Sequence, residues 1–419
     1  MGIIIGIGQT KPQVPYDEFY GIEWDVTVSN PKAKRIGKLE LHASLPVQSL
    51  MRRCVLRDNG EVAYYLDANN STKKVGGAPA KLDGTDGQVM VEIPAFYVKF
   101  EAEGNKRRCL MSLHALPGFT KWEKFYVSAY EATVQRSTGK LSSVANATGD
   151  YRGGNNEASY DGTHRSLLGR PASALGIDDA RGFARSRGGA PWNCYTYQAH
   201  KAVFWLFAVE YCNFNSQDDF TSALDNGCKQ GGLGRGVTTL SAWSSAFGHL
   251  PFVPCGKTNE LGNSSGVVSF SVDLGGGRTD VVEVPSYRGV EMPFGHIWKI
   301  VDGAKVETVS GASKLMVSSE KERFGDSGSY EEVSAMYGGS GFISSIVMGD
   351  GGEIVPLSVG AGSTTYFCDK SSGFYRSSGR LMFGGNSSWG GDCGMLCMYE
   401  AGDGASGSNY TGTRLCYLP

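Results

Sequence analysis

Every residue from Ala202 to Val209 is apolar. The run lies in a helical segment that Thr196 is placed to cap and that extends from about Tyr197 to Asn213. A helix with no wet face over two turns must be packed on most sides, and this run is far shorter than the roughly 20 residues that cross a bilayer. The chain is therefore expected to build a soluble domain around this helix. A second helix is expected from Asp178-Asp179, acids that favour the N-terminal end of the dipole, to Arg185. After Gln217 no comparable helical signal recurs. Short strands are expected at Gly266 to Leu274, at Ile297 to Val301 with a turn at Asp302-Gly303, and at Gly341 to Met348 ahead of Gly349-Asp350-Gly351-Gly352. One or two helices followed by many strands predict an α+β fold.

The first hundred residues alternate at strand period, with Leu39, Leu41 and Ala43 on one face and Lys38, Glu40 and His42 on the other. Asp58-Asn59-Gly60 separates two apolar runs, Val55-Leu56 and Val62 to Leu66, and predicts a hairpin with a type I′ turn. Val89, Val91 and Ile93 share one parity and Phe96, Val98 and Phe100 the other. The slip falls at Pro94-Ala95, where a bulge or an edge position would account for it. At 419 residues the chain has room for two or three domains of roughly 150 residues.

Charge and composition exclude several classes. The 40 Lys+Arg against 42 Asp+Glu give a net charge of −2, so no domain-wide basic field exists to hold nucleic acid. Glycine, 59 residues, is about twice as frequent as the usual ~7%, yet 41% of the chain is hydrophobic, which fits a loop-rich folded protein. The start, Met1 to Gly8, lacks a basic segment and a cleavage site, so synthesis without secretion is expected. Its ten cysteines show no repeated CxxC spacing and are expected to stay reduced and buried. Neither a metal nor a cofactor is expected.

No HExxH, calcium-loop, GxSxG or Walker A pattern occurs, and the six histidines are scattered. Gly231-Gly232-Leu233-Gly234-Arg235-Gly236 resembles a phosphate loop only on the surface, since no clear strand precedes it and no clear helix follows. Cys393 and Cys397 read either as a redox or copper pair or as small side chains in a tight segment. Asp178 with Asp179, and Glu291 near His296, read either as acid/base pairs or as helix and turn polar groups. None of these amounts to a catalytic constellation.

The last 49 residues, 371–419, differ in composition from the rest: 11 Gly, 8 Ser and 7 aromatics against 6 charged residues. Rigid aromatics among small polar residues are a binding composition. Within them, Gly379-Arg380-Leu381-Met382-Phe383-Gly384-Gly385-Asn386-Ser387-Ser388-Trp389-Gly390-Gly391-Asp392-Cys393-Gly394, closed by Gly412-Thr413-Arg414-Leu415, resembles the C-type lectin fold in its formylglycine-generating-enzyme form. Phe125 to Thr133, Glu210 to Gln217 and Ser286 to Gly295 extend the resemblance to the phage-tail branch of that group, over about 89–419.

Proteins of that branch are receptor-binding tail or tail-tip proteins, many of them variable proteins of diversity-generating retroelements. The resemblance implies a prophage or phage tail protein, located in the virion tail, that reads a bacterial surface receptor, protein or glycan, through a diversifiable C-terminal face. It implies a division into a β-rich attachment or oligomerisation domain, 1–88, and a C-type lectin-like ligand-binding domain, 89–419, with its variable segment at about 371–419. It implies other tail proteins as partners and a homo-oligomer, a homotrimer, with neither nucleic acid nor membrane insertion. Arg380, Gly384, Gly385, Gly390, Gly394, Gly412 and Arg414 would be scaffold. The ligand-binding residues would be Phe383, Asn386, Ser387, Ser388, Trp389, Asp392, Met395, Cys397 and Tyr399, with Asn409 and Tyr410 in a second loop. Phe383 and Trp389 would be the exposed anchors. Ser387 stands where relatives often carry Trp, and Trp389 where they carry a small polar residue. The alternatives are a structural tail or baseplate subunit, and an oxidase on the same fold.

Overall fold

Three sheets surround the helix that the apolar run predicts. The structure, a computed structural model, describes residues 18–310, 312–325, 329–373, 378–402 and 407–419, so Met1 to Gly8 and the tail positions 374–377 and 403–406 lie outside the described residues. Strands hold 41% of the chain and helices 14%, an α+β fold dominated by sheet. The central helix, Tyr197–Tyr211, begins where Thr196 Oγ1 accepts the Ala199 amide at 3.2 Å and ends where Cys212 turns left-handed. Each residue from Ala199 to Tyr211 is buried, Lys201 and Glu210 included. Both charges are paired: Lys201 Nζ lies 2.8 Å from Glu353 Oε1, and Arg288 Nη2 lies 2.7 Å from Glu210 Oε1. Pairing is what lets charged groups sit inside, because a buried charge stripped of its partner costs about 3–5 kcal/mol.

One sheet, in the order Lys34–Gly37, Tyr20–Asp25, Lys106–Ser112, Phe96–Glu103, Thr120–Trp122, packs on this helix through Trp24 and Phe100, whose rings lie 5.8 Å and 5.1 Å from Trp205. A six-stranded sheet runs Trp192–Cys194, Leu415–Tyr417, Phe125–Ser128, Gln88–Ile93, Arg52–Leu56, Val62–Tyr65, which places the C-terminal strand between the edge strand Trp192–Cys194 and Phe125–Ser128. The largest sheet has the order Glu331–Met336, Ala312–Val317, Trp298–Val309, Ser378–Gly384, Gly394–Gly402, Lys370–Ser371, Gly341–Met348, Glu353–Val359, with Thr411–Gly412 added parallel to Trp298–Val309. Its ends meet where the Tyr337 amide donates to Pro356 O at 2.8 Å, so the sheet nearly closes on itself. The tail thus supplies two central strands of this sheet and one of the six-stranded sheet.

Several expectations change. The division at 88/89 falls at the first residue of the Gln88–Ile93 strand, which pairs with Arg52–Leu56 on one side and Phe125–Ser128 on the other. Residues 52–65 therefore share a sheet with the C-terminus and form no separate domain with the rest of 1–88. Leu39 to Ser44 is a helix, not a strand: six residues satisfy either period, and it is His42 that turns inward, its ring 5.6 Å from Tyr20. Pro94-Ala95 is not a bulge; it carries the chain from the six-stranded sheet to the five-stranded one, and the change of sheet is what flips the parity. The hairpin at 57–61 forms, but of its residues only Gly60 has positive φ, at 83°, so the turn is not type I′. Asp302-Gly303 makes no turn. The strand runs through it from Trp298 to Val309 with a register shift between Ile300 and Lys305, and both Asp302 oxygens bind Arg181 at 2.7 and 3.0 Å. That contact ties the helix Ile177–Arg185 to the largest sheet.

Candidate binding face

The face begins with the register of two tail strands. Phe383 pairs with Met398, and Met382 with Tyr399. Alternation sends the first pair to one side of the sheet and the second to the other. Phe383 and Met398 enter the core under the central helix, where the Phe383 ring lies 4.4 Å from His200. Tyr399 emerges on the opposite side and is 39% exposed.

Between the strands, residues 385–393 form a loop held by its own buried polar groups. Asn386 Oδ1 accepts the Ser388 amide at 3.0 Å, and Ser387 Oγ donates to His296 O at 3.1 Å. The Leu240 amide donates to Ser387 O at 3.0 Å, and Gln217 Nε2 donates to Gly390 O at 3.3 Å and to Cys393 O. Gly385, at φ 73°, has Cys393 so close that any Cβ would overlap its sulfur. Gly394 likewise leaves no room for a Cβ beside the Asp369 carboxylate, whose Oδ2 accepts the Leu396 amide at 2.6 Å.

The loop so fixed presents Trp389. Its ring stands edge-on to Trp298 at 5.0 Å and 86°, Tyr399 lies 5.7 Å from the same Trp298, and Trp389 and Tyr399 meet at 6.1 Å and 90°. Each such pair is worth about 0.5–1.5 kcal/mol beyond its burial. Trp298 itself is buried and its amide donates to Tyr410 O at 2.8 Å, which brings the second loop alongside. Tyr410 and Asn409 are half-buried, and Asn409 Nδ2 donates to Gly248 O at 3.1 Å. Lys370 borders the ledge, 2.8 Å from Asp392 and 5.7 Å from the Trp389 ring centroid. The product is a rigid aromatic ledge with an electrically neutral rim.

Of the eleven residues singled out as readers, Ser388 and Tyr399 are exposed, and Trp389, Asp392, Asn409 and Tyr410 are half-buried. Phe383, Asn386, Ser387, Met395 and Cys397 are buried, at 0–4% exposure, and belong to the core or to the loop's internal hydrogen bonds. Phe383 as an exposed anchor is thereby corrected: strand parity, not residue type, decides which aromatic emerges. Trp298 and Lys370 were missed. Their strands are readable in part, but their place under and beside Trp389 depends on long-range register that no local pattern carries.

Of the residues expected as scaffold, Arg380, Gly384, Gly385, Gly394, Gly412 and Arg414 are buried and Gly390 is half-buried. Arg414 is wholly buried and donates to Ser128 O at 3.1 Å, to Met292 O at 2.6 Å and to Glu291 O, so one guanidinium joins the C-terminal strand to two other segments.

Beneath the loop, Glu131 Oε2 lies 2.5 Å from His296 Nδ1, and Glu131 Oε1 lies 2.7 Å from Lys299 Nζ, all three buried. Burial pushes the Glu131 carboxyl up, but Lys299 and His296 outweigh it and hold the group down at about 2. His296 Nε2 accepts the Phe252 and Val253 amides at 3.0 and 3.2 Å, so the imidazole is spent on structure. Glu291 does not meet it and instead accepts from Gly256 and Thr258. Cys393 and Cys397 are free buried thiols that burial pushes up, and no group of three metal-ligating side chains occurs among the described residues.

No protein-family profile and no curated protein sequence matches the chain. Among solved structures, PvdO from Pseudomonas aeruginosa aligns over 81% of this chain and 100% of its own, at 11% identity and a TM-score of 0.35.

Proposed function

We propose that this chain is a receptor-binding protein of a phage or prophage tail, built on the formylglycine-generating-enzyme form of the C-type lectin fold, and that it engages a bacterial surface receptor through the ledge of Trp389, Tyr399 and Tyr410. The observation that carries the reading is the partition of the tail. Gly384, Gly385, Gly394, Gly412 and Arg414 are buried, while Trp389 on the loop between the two tail strands, Tyr399 on the second strand and Tyr410 in a second loop reach the surface. Pre-organised aromatics bind with a small entropic cost, and Trp and Tyr are the residue types that dominate interface hot spots. In this reading the protein acts as a homo-oligomer, a trimer, so that weak single contacts add up by avidity.

The test is adsorption of the purified protein to a panel of bacterial hosts, with Trp389→Ala/Tyr399→Ala beside the parent. The double variant is expected to fold and to lose at least tenfold in binding. Equal binding by both moves the receptor site elsewhere, and a parent that binds no host replaces the reading with a structural tail or baseplate subunit.

A further inference from the structure

A cleft of about 690 Å³ opens between the hairpin at 57–64, the turn at 84–87 and the strand Lys140–Ser142, and it shares no residue with the aromatic ledge. Four cations line it, Arg57, Lys74, Lys140 and Arg187, against two carboxylates, Asp58 and Asp86. Asp58 is shared: Lys140 Nζ lies 3.0 Å from its Oδ2 and Arg187 Nη1 lies 2.6 Å from its Oδ1, so one negative charge answers two positive ones. The Lys74 ammonium stands 4.0 Å from the centroid of the Tyr64 ring and pairs with no carboxylate among the described residues. The cleft therefore carries surplus positive charge, which draws anions.

Two polar tips in it have no protein partner. Gln88 is 2% exposed, and its Oε1 accepts the Ser143 amide at 2.8 Å, which makes Nε2 the donor left over. Tyr151 is 7% exposed and lies beside Gly84, where a Cβ would come within 2.8 Å of the phenol oxygen. Neither Gln88 Nε2 nor Tyr151 Oη bonds a described residue, and neither is sealed from solvent, so both open on the cleft that their residues line. Asp86 Oδ2 accepts from Tyr64 Oη at 3.0 Å, which leaves its Oδ1 for a donor from outside. Side chains as buried as Gln88 and Tyr151 have little freedom left to lose on binding, so they present groups already in place.

We propose that this cleft binds a hydroxylated carboxylic acid of sugar size, a uronic acid, with ligand oxygens on Gln88 Nε2 and Tyr151 Oη, a ligand hydroxyl on Asp86 Oδ1 and the carboxylate facing Lys74 and Lys140. Donors, a carboxylate acceptor and surplus cations in one cleft call for a ligand that has both hydroxyls and a negative charge. The volume, about 690 Å³, lies within the roughly 300–1,000 Å³ of small-molecule sites. A bare phosphate would leave Asp86 unanswered and most of that space empty. The proposal is independent of the receptor reading.

The test is saturation-transfer NMR titration of the full chain with methyl β-glucuronide, with methyl β-glucoside as its uncharged counterpart and inorganic phosphate as a competitor. The parent is expected to bind the glucuronide, and the glucoside more weakly. Tyr151→Phe removes an oxygen that bonds nothing in the protein, so it should fold as the parent does and weaken both sugars by about two- to tenfold, the worth of one hydrogen bond. Lys74→Met should weaken the glucuronide by about two- to fivefold and leave the glucoside unchanged. Gln88→Glu keeps an oxygen for the Ser143 amide but sets a negative charge where the donor stood, and should abolish glucuronide binding. Failure of the parent to bind the glucuronide at tens of millimolar overturns the proposal, as does unchanged binding in Tyr151→Phe and folded Gln88→Glu together. Glucoside binding as tight as glucuronide binding overturns the assigned charge, and phosphate that displaces the glucuronide at equal concentration overturns the sugar.

Discussion

The opposite facing of Phe383 and Tyr399 makes two superficially alike substitutions separable. Phe383→Ala empties a site with no solvent exposure against His200, where truncation of a core phenylalanine costs about 3–5 kcal/mol. Tyr399→Ala removes a ring that is 39% exposed and that meets Trp298 and Trp389, so its cost is about 1–2 kcal/mol, one or two aromatic contacts. In the proposed function the costs in binding run the other way: Tyr399→Ala loses adsorption and Phe383→Ala, where folded, keeps it. Urea titration followed by tryptophan fluorescence, with the slope checked for constancy because a chain of this size can unfold in steps, measures the first pair of numbers. Host-cell adsorption of each folded variant measures the second. A Phe383→Ala protein with an unshifted midpoint would refute the strand register, and an adsorption-competent Tyr399→Ala beside a folded, adsorption-dead Phe383→Ala would refute the assignment of the face.

Further outcomes follow from the buried groups. Arg414→Lys should lower the urea midpoint nearly as much as Arg414→Met, since an ammonium cannot reach three carbonyls held for a guanidinium; each carbonyl left unmatched costs about 1–3 kcal/mol, and full rescue by Lys would contradict this. Burial lowers the His200 imidazole to about 3 and His42 to about 4, while an unfolded histidine takes its proton near 6.5. The unfolded state therefore binds more protons below about pH 6.5, and stability should fall from there down to about pH 3–4. His200→Gln, which can keep the bond to Met395 O, should flatten that slope, and an unchanged slope would count against a neutral buried His200. Glu131, held down at about 2, adds stability that is complete above its unfolded value of about 4.3 and is lost between there and about pH 2, so Glu131→Gln should remove that second, more acidic phase. Burial raises the Cys212 thiol to about 11 and those of Cys368 and Cys416 to about 12, and iodoacetamide near neutral pH should label none of the ten cysteines until the protein unfolds.

Local signals proved reliable where one element decides the outcome by itself. The Ala202–Val209 run places the central helix because an all-apolar helix has nowhere to go but the middle, and the acids at Asp178-Asp179 mark the second helix. The same signals misled where a short stretch fits two periods, as at Leu39–Ser44, or where a parity slip has two causes, as at Pro94-Ala95. The binding face shows the limit most clearly. Trp389 and Tyr399 stand out by composition, but so does Phe383, and the difference between them is the pairing of Ser378–Gly384 with Gly394–Gly402. Trp298 could be read as a strand residue, yet its contact with a loop about ninety positions away follows from sheet order, which the chain's local chemistry does not spell out.

If the tail is rewritten between generations, the packing restricts where. Phe383, Met395 and Cys397 touch the core, and Asn386 and Ser387 hold the loop from within, so replacement there costs stability before it changes recognition. Ser388, Trp389, Asp392, Tyr399, Asn409 and Tyr410 are exposed or half-buried, so replacement there costs less. The proposed function thus predicts that a library randomised at those six positions folds in most members and yields altered host range, whereas one randomised at the five buried positions yields mostly unfolded protein. Equal tolerance in the two libraries would mean that the tail is not organised around a fixed frame and a variable face, and the receptor reading would lose the observation on which it stands.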